Sequence, residues 1–316
     1  MALKDIKAKI QATQRMNTVT RAMEAVSAVK MRKTQAAALE GRSYARAALS
    51  ILARLSGSSE LTNHPLARPI AHTGTGKLAL VVMTSDRGLA GALNSGVLRK
   101  AFEEAGGNRE SVAVNTVTIF AIGRKADEFF RRRNFTIAKS YENKHDQIEL
   151  SVMEDLSREI TSGFLSGEYD EVRAVYTNFK STFEQIPSVR KLLPLTLESV
   201  SELVREIQPV RGKFSESATS ASLMPNLESP VRYTIEPEAG AVLDVLLPRL
   251  VAISLYHMLL ESKASEHSAR MVAMKNASDK SKEVARDLTR VYNKVRQAAI
   301  TREVSEIVSG REALAV

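Results

Sequence analysis

Helix breakers are missing from both ends of this chain, and that limits the fold more than any other feature. All nine prolines fall between Pro65 and Pro248, thirteen of the fifteen glycines between Gly57 and Gly240, and all nine phenylalanines between Phe102 and Phe214. Proline removes a backbone donor and clashes with the preceding turn, and glycine costs chain entropy, so a run without either can stay helical for many turns. Charge divides the 316 residues in the same way: residues 1–56 carry a net +8, residues 249–316 a net +4, and the stretch between them a net −3. A mildly acidic centre is flanked by two basic, breaker-poor arms.

The first arm reads as one helix from Leu3 to Leu55. Leu3, Ile6, Ile10, Thr13, Met16, Val19, Met23, Val26 and Val29 recur at threes and fours, the spacing of one narrow stripe. At 1.5 Å per residue this helix is roughly 80 Å long, too long to stand alone. The second arm, Arg249 to Ser309, has neither Gly nor Pro and predicts roughly 90 Å of helix. Pro248 either kinks it or caps its first turn. Val284, Leu288, Val291, Val295 and Ala298 carry its stripe, with further apolar points at Leu255, Met258, Leu259, Met271 and Met274. Arms separated by a folded middle can return past one another, which predicts an antiparallel coiled coil.

The seam of that coil is poor. Thr13, Thr20, Ser27 and Lys30 interrupt it, and many apolar positions are Ala. Either a surrounding protein supplies the missing burial, or Ala simply lets the helices approach closely. The last turns, Ile300, Val304, Ile307 and Val308, make an apolar tip. A tip that projects past its partner helix needs a socket; otherwise it is a frayed end.

The middle reads as a small open α/β sheet with helices on both faces, a Rossmann-like arrangement. Lys77–Ser85 is a continuous apolar run, as in a buried parallel strand. A helix follows to Ala105. Further strands are expected at Val114–Ile122, Glu171–Phe179 and Arg190–Leu195, and helices at Ala126–Arg133 and Asp146–Gly163. From Thr196 to Pro237 the pattern weakens into a loop, with an edge strand at Val231–Ile235. The domain boundaries expected are 1–56 for the first coil helix, 57–76 for a linker, 77–237 for the α/β domain and 238–316 for the second coil helix.

Catalytic and cofactor motifs fail on inspection. Gly74-Thr75-Gly76-Lys77 lacks the first Gly and the final Ser/Thr of a phosphate loop, and it precedes a strand instead of following one. Gly88, Gly91 and Gly96 do not have dinucleotide-fingerprint spacing. Asp86 and Arg87 lie at a strand's C-terminal end, where a local ion pair or a helix-start contact is the expected role. His64, His72, His145, His257 and His267 are scattered, and the absence of Cys excludes disulfides and thiolate metal sites. No uncharged apolar run reaches about 18 residues, so no membrane span is expected. The opening Met1-Ala2-Leu3-Lys4-Asp5 lacks the apolar run of a secretory signal, which predicts a chain that stays on the side where it is made.

Four stretches carry a resemblance. Ile6 to Lys33, with Thr20-Arg21-Ala22-Met23-Glu24 and Lys30-Met31-Arg32-Lys33, resembles the N-terminal helix of the gamma-subunit family of F-type ATP synthases. The stretch Val291 to Gly310 (VYNKVRQAAITREVSEIVSG) is similar to that family's C-terminal signature. Ser265 to Ala277 (SEHSARMVAMKNA) and Ser85 to Asn94 (SDRGLAGALN) also fit.

The resemblance implies a rotor without a catalytic site, cofactor or metal of its own. Its coil would turn inside an alpha3beta3 hexamer whose subunits hold ATP, ADP and Mg, and its base would sit against the epsilon subunit and the membrane c-ring. It also implies that Met23 faces an acidic moving loop of beta, that Arg296, Gln297 and Thr301 engage beta higher up, and that Ile300, Val304, Ile307 and Val308 sit in an upper bearing. Lys30, Arg32 and Lys33 form a basic lower coil. Location would be peripheral, on the cytoplasmic face of a bacterial plasma membrane. Two other classes compete: a basic coiled-coil nucleic-acid-binding or scaffold protein, marked by salt-sensitive binding to DNA or RNA, and a small-molecule enzyme using the central sheet, marked by a saturable ligand at the Asp86–Asn94 edge.

Overall fold

The computed structural model describes residues 3–40, 63–68, 76–107, 116–143, 150–195 and 238–314. The continuation of the first helix to Leu55, most of the 57–76 linker, His72, His145, the 196–237 loop and the strand expected at Val231–Ile235 lie outside the described residues. By contact the chain divides into two compact units: Met1–Ala28 with Arg270–Val316, and Val29–Ala269.

The larger unit is built on a five-stranded sheet. Its strands are β1 (Leu78–Met83), β2 (Val117–Ile122), β3 (Thr136–Tyr141), β4 (Glu171–Phe179) and β5 (Gln185–Leu193). They lie in the order β3-β2-β1-β4-β5. β1 runs parallel to β2 and β4, β3 parallel to β2, and only β5 is antiparallel. The shorter helices are α1 (Leu3–Glu40, shared with the coil), α2 (Leu93–Glu104), α3 (Arg124–Arg131) and α4 (Leu150–Leu165); the last helix, α5, spans Ala239–Leu314. Alternation along β1 sorts the two faces. Leu80 and Val82 pack with Val97 and Ala101 of α2 and with Ala126 and Phe130 of α3. Ala79, Val81 and Met83 pack with Leu156, Ile160 and Phe164 of α4 and with Leu243, Leu247 and Leu250 of α5. Burial on both faces is why β1 reads as an unbroken apolar run.

Three expectations are corrected. The strand order omitted β3, whose sequence TIAKSY is largely exposed at the sheet edge; an edge strand with little to bury leaves no apolar run to read. β5 begins at Gln185, five residues before the expected Arg190, because its first half is only part-buried. Pro248 lies inside α5 and does not cap it. The helix runs through it because Leu247, Leu250 and Val251 on either side are buried in the core, and the Pro248 carbonyl accepts a bond from Ser157 Oγ of α4 at 2.9 Å. The same stretch of α5 meets the length and composition of a membrane span, but more than half of that window is buried inside the fold.

In the smaller unit, α1 and the end of α5 form the coil, and here the seam differs from the expected stripe. Ile6, Thr20 and Ser27 are buried, whereas Met16, Val19 and Val26 are 53–59% exposed. The reason is angular. Each residue turns the helix by 100°, so the consecutive three-residue steps from Thr13 to Met16 to Val19 walk the stripe about 120° around it. The strict alternation Ile6, Ile10, Thr13, Asn17, Thr20 keeps to one line, and every member is at least partly buried. On α5 the less exposed set is likewise a strict four-three series, Met274, Ser278, Ser281, Ala285, Leu288, Tyr292, Val295 and Ala299. Val284 and Val291 of the expected stripe are 38% and 50% exposed.

Three seam hydroxyls are satisfied within their own helices. Thr13 Oγ1 donates to the Lys9 carbonyl and Thr20 Oγ1 to the Met16 carbonyl, both at 2.9 Å, and Ser281 Oγ to the Ala277 carbonyl at 2.7 Å. Asn17 is the exception: its Nδ2 donates to the carbonyl (2.6 Å) and to Oγ (3.0 Å) of Ser278 on the other helix. A seam amide with one cross-helix partner fixes register, since any slip leaves it unpaired. We expect Thr13→Val with Thr20→Val to stabilise the coil by about 1 kcal/mol, because each change puts a methyl where a back-bonded hydroxyl now sits. A thermal melt of the double variant followed by circular dichroism, with a midpoint at or below that of the parent, would contradict this.

Candidate partner-binding surface

The coil leaves a row of large apolar side chains outside its seam. Met16, Val19 and Val26 are more than half exposed and Met23 is part-exposed. At 100° per residue these four lie within about 80° of one another. Single exposed apolar residues are ordinary on a surface; a row along one helix marks a surface that another molecule covers.

The end of α5 shows the same thing more strongly. Every residue from Ile300 to Arg311 is exposed, with Ile300 at 51%, Val304 at 54%, Ile307 at 71% and Val308 at 51%. Arg296, Ile300, Val304 and Ile307 lie within about 80° of one another, and Gln297, Thr301 and Val308 extend that face to about 140°. Arg296, Gln297 and Thr301 are all exposed, and the Thr301 hydroxyl is already bonded to the Gln297 carbonyl at 3.0 Å. The apolar tip and the Arg-Gln-Thr patch therefore share one broad face. Further down α1, Arg32 and Lys33 are exposed and Lys30 is part-buried.

The sheet's C-terminal edge, where α/β folds usually bind ligands, is filled by its own polar groups. The Asp86 carboxylate, 5% exposed, accepts from the backbone N–H of Arg124 at 2.7 Å and of Asn143 at 2.9 Å. Thr84 Oγ1 accepts from the Ala126 N–H at 2.9 Å, and the Thr84 carbonyl accepts from Asn143 Nδ2 at 2.7 Å. Residues 84–86 thus cap α3 from outside, with the negative group at its positive end. This is the helix-start contact expected of Asp86. Asn94 bonds Ser85 in the same loop, so these side chains are engaged in holding the chain.

The histidines follow suit. His64 Nδ1 accepts from the Leu66 N–H at 3.1 Å, so its proton is on Nε2, which donates to Asp244 at 3.0 Å. His257 and His267 are buried on α5. Among the described residues no group of three or more His, Asp or Glu could hold a metal ion.

Sequence reasoning missed the polar seat of α5, formed by Asn143, Lys263, Ser265 and Ser268, and the register amide Asn17. A polar residue recurring in strict four-three steps was the available signal for Asn17. Nothing local marks the others, whose partners lie 86–120 residues away.

Comparison with known proteins bears on the whole chain. Residues 2–314 match a family model described as ATP synthase. The ATP synthase gamma chain of Roseiflexus castenholzii is 40% identical over 312 residues, covering 99% of this chain and 98% of that one. The gamma chain of Pelotomaculum thermopropionicum is 37% identical over 313 residues, covering 99% of both. The fold resembles a chain of the Euglena gracilis mitochondrial ATP synthase OSCP/F1/c-ring structure, with TM-score 0.62, 17% identity and coverage of 99% and 94%. It also resembles one in the Tetrahymena thermophila central stalk and c-ring structure, with TM-score 0.55, 23% identity and coverage of 82% and 99%.

Proposed function

Because the chain belongs to the ATP synthase gamma-chain family, we infer that it is the central-stalk rotor of a bacterial F-type ATP synthase. It couples rotation of the membrane c-ring to ATP synthesis and hydrolysis in an alpha3beta3 hexamer, with the epsilon subunit beside its α/β domain. ATP chemistry belongs to the hexamer, and membrane association runs through the c-ring. The observation that carries this reading is the family match over residues 2–314 on a chain whose coil leaves apolar rows uncovered.

The surface suits the task. A shaft that turns inside a ring cannot be locked to one neighbour, and small seam residues keep it slender. Exposed Arg32 and Lys33 give the lower coil a positive field that attracts acidic loops without fixing them, because the attraction between exposed charges is long-ranged and weakly directional. We assign Met23 to the face swept by an acidic loop of beta, Arg296, Gln297 and Thr301 to a second beta contact, and Ile300, Val304, Ile307 and Val308 to the upper bearing. The test is purification from cells: this chain brings down a hexamer with ATPase activity. Recovery without such a hexamer, or with nucleic acid in its place, overturns the reading.

Two further results are expected. Met23→Lys adds a charge that lingers on one acidic loop, so proton pumping per ATP hydrolysed falls; an unchanged ratio in membrane vesicles would exclude the assignment. Among the described residues, ending the chain at Ala299 removes exposed ones from Ile300 to Arg311, so the chain's own melting changes by less than about 1 kcal/mol while the assembled head loosens. Equal assembly and rotation rates in both forms would remove the bearing from the scheme.

A further inference from the structure

The chemistry of α5 changes along its length. From Leu243 to Leu260 its buried side chains are mostly apolar: Leu243, Leu247, Leu250, Val251, Leu255, Met258 and Leu259 join the core. From Glu261 to Ser268 every residue is buried and all but Ala264 are polar. Lys263, Ser265 and Ser268 are among those that bond the sheet and its loops. Lys263 Nζ donates to the Asn143 carbonyl at 2.8 Å, just beyond β3. Ser265 Oγ donates to the Thr177 carbonyl within β4 at 3.3 Å, and Ser268 Oγ to the Thr182 carbonyl in the β4–β5 turn at 2.7 Å. Asn143 is itself held by Asp86 and by the Thr84 carbonyl, so the Lys263 anchor is rigid.

Burying a lysine to 2% exposure is costly, and an apolar side chain of the same length would fill the space more cheaply. Buried polar contacts are best justified where they select one geometry. Apolar packing is non-directional and tolerates a helix rolling in its seat; a hydrogen bond weakens steeply as its angle closes. We propose that Lys263, Ser265 and Ser268 are a rotational clamp that fixes α5 against the sheet, so that torque entering the α/β domain turns the helix instead of rolling it in its groove. The proposal rests on the rotor reading, and the three side chains act as positioning residues.

The test uses the complete ATP synthase complex, head immobilised, with a bead on the c-ring and nucleotide withheld. Wild-type complex that rotates on addition of ATP secures the rotor reading independently. In Lys263→Met, and in Ser265→Ala with Ser268→Ala, angular variance of the bead widens about twofold, because directional hydrogen bonds of comparable strength are lost. ATP hydrolysis by the head and the thermal midpoint of the complex are retained. Lys263→Arg, which keeps a donor at that position, restores narrow variance. Should Lys263→Met fail to assemble, the serine pair decides. Wild-type variance in the assembled variants, or a variance change that merely tracks a lowered midpoint, overturns the clamp.

Discussion

Gly123→Ala removes a large share of the stability of the α/β domain. Gly123 joins β2 to α3 at φ 93° and ψ 139°, a region that residues with a side chain scarcely enter. A Cβ there would run into the carbonyl of Thr84, and neither side can yield. The Thr84 N–H is paired with the Ile122 carbonyl at 2.8 Å and the Gly123 N–H with the Tyr141 carbonyl at 2.8 Å. Backbone strain and displacement of paired backbone together cost about 3 kcal/mol or more, a large share of the roughly 5–15 kcal/mol that holds a domain together. Gly167 is the control. It too has a positive φ, 75°, but nothing lies where its Cβ would go, so Gly167→Ala costs only about 1 kcal/mol. Urea unfolding of the two variants should separate them clearly; coincident midpoints would mean that the junction relaxes freely.

Asp86→Ala comes second. It strips the acceptor from the buried N–H of Asn143 and the part-buried N–H of Arg124. Each bond to an ionised carboxylate is stronger than a neutral one, and the orphaned Asn143 donor carries its desolvation penalty, so the loss is about 2–4 kcal/mol. Asp86→Asn keeps one acceptor oxygen and loses less. The damage is local first: the initial turn of α3 frays and Asn143 loosens. Hydrogen exchange at the Arg124 and Asn143 amides reads this directly, and protection equal to the parent's would show that Asp86 is not their anchor.

Much of this was legible in the residues. The breaker-free arms, the apolar run of β1 and the strand Glu171–Phe179 announced themselves, because long periodic or fully buried segments leave strong patterns. The coil's seam did not. Apolar residues mark buried positions only when burial selects for them, and here Thr20 and Ser27 are inside while Met16, Val19 and Val26 are outside. Met16, Val19 and Val26, which a hydropathy reading assigns to the seam, are left bare, while Ile6 of the same stripe is inside. β3 was invisible for the opposite reason, being an edge strand with little to hide. The Lys263 seat depends on partners far away in sequence, and no local rule carries that information. The tip from Ile300 to Val308 was legible as an apolar pattern, whereas its exposure depended on whether it projects past the other helix, which the sequence left open.

The pairing of Asn17 with Ser278 stitches the two helices of the coil together. Thr13, Thr20 and Ser281 turn their hydroxyls inward on their own helices, so winding the two strands tighter or looser breaks none of those bonds. Twist can therefore be stored over many turns and given back, instead of gathering at one weak point. A shaft stitched at one level, with its hydroxyls bonded to their own strands at others, behaves as a spring with a fixed zero.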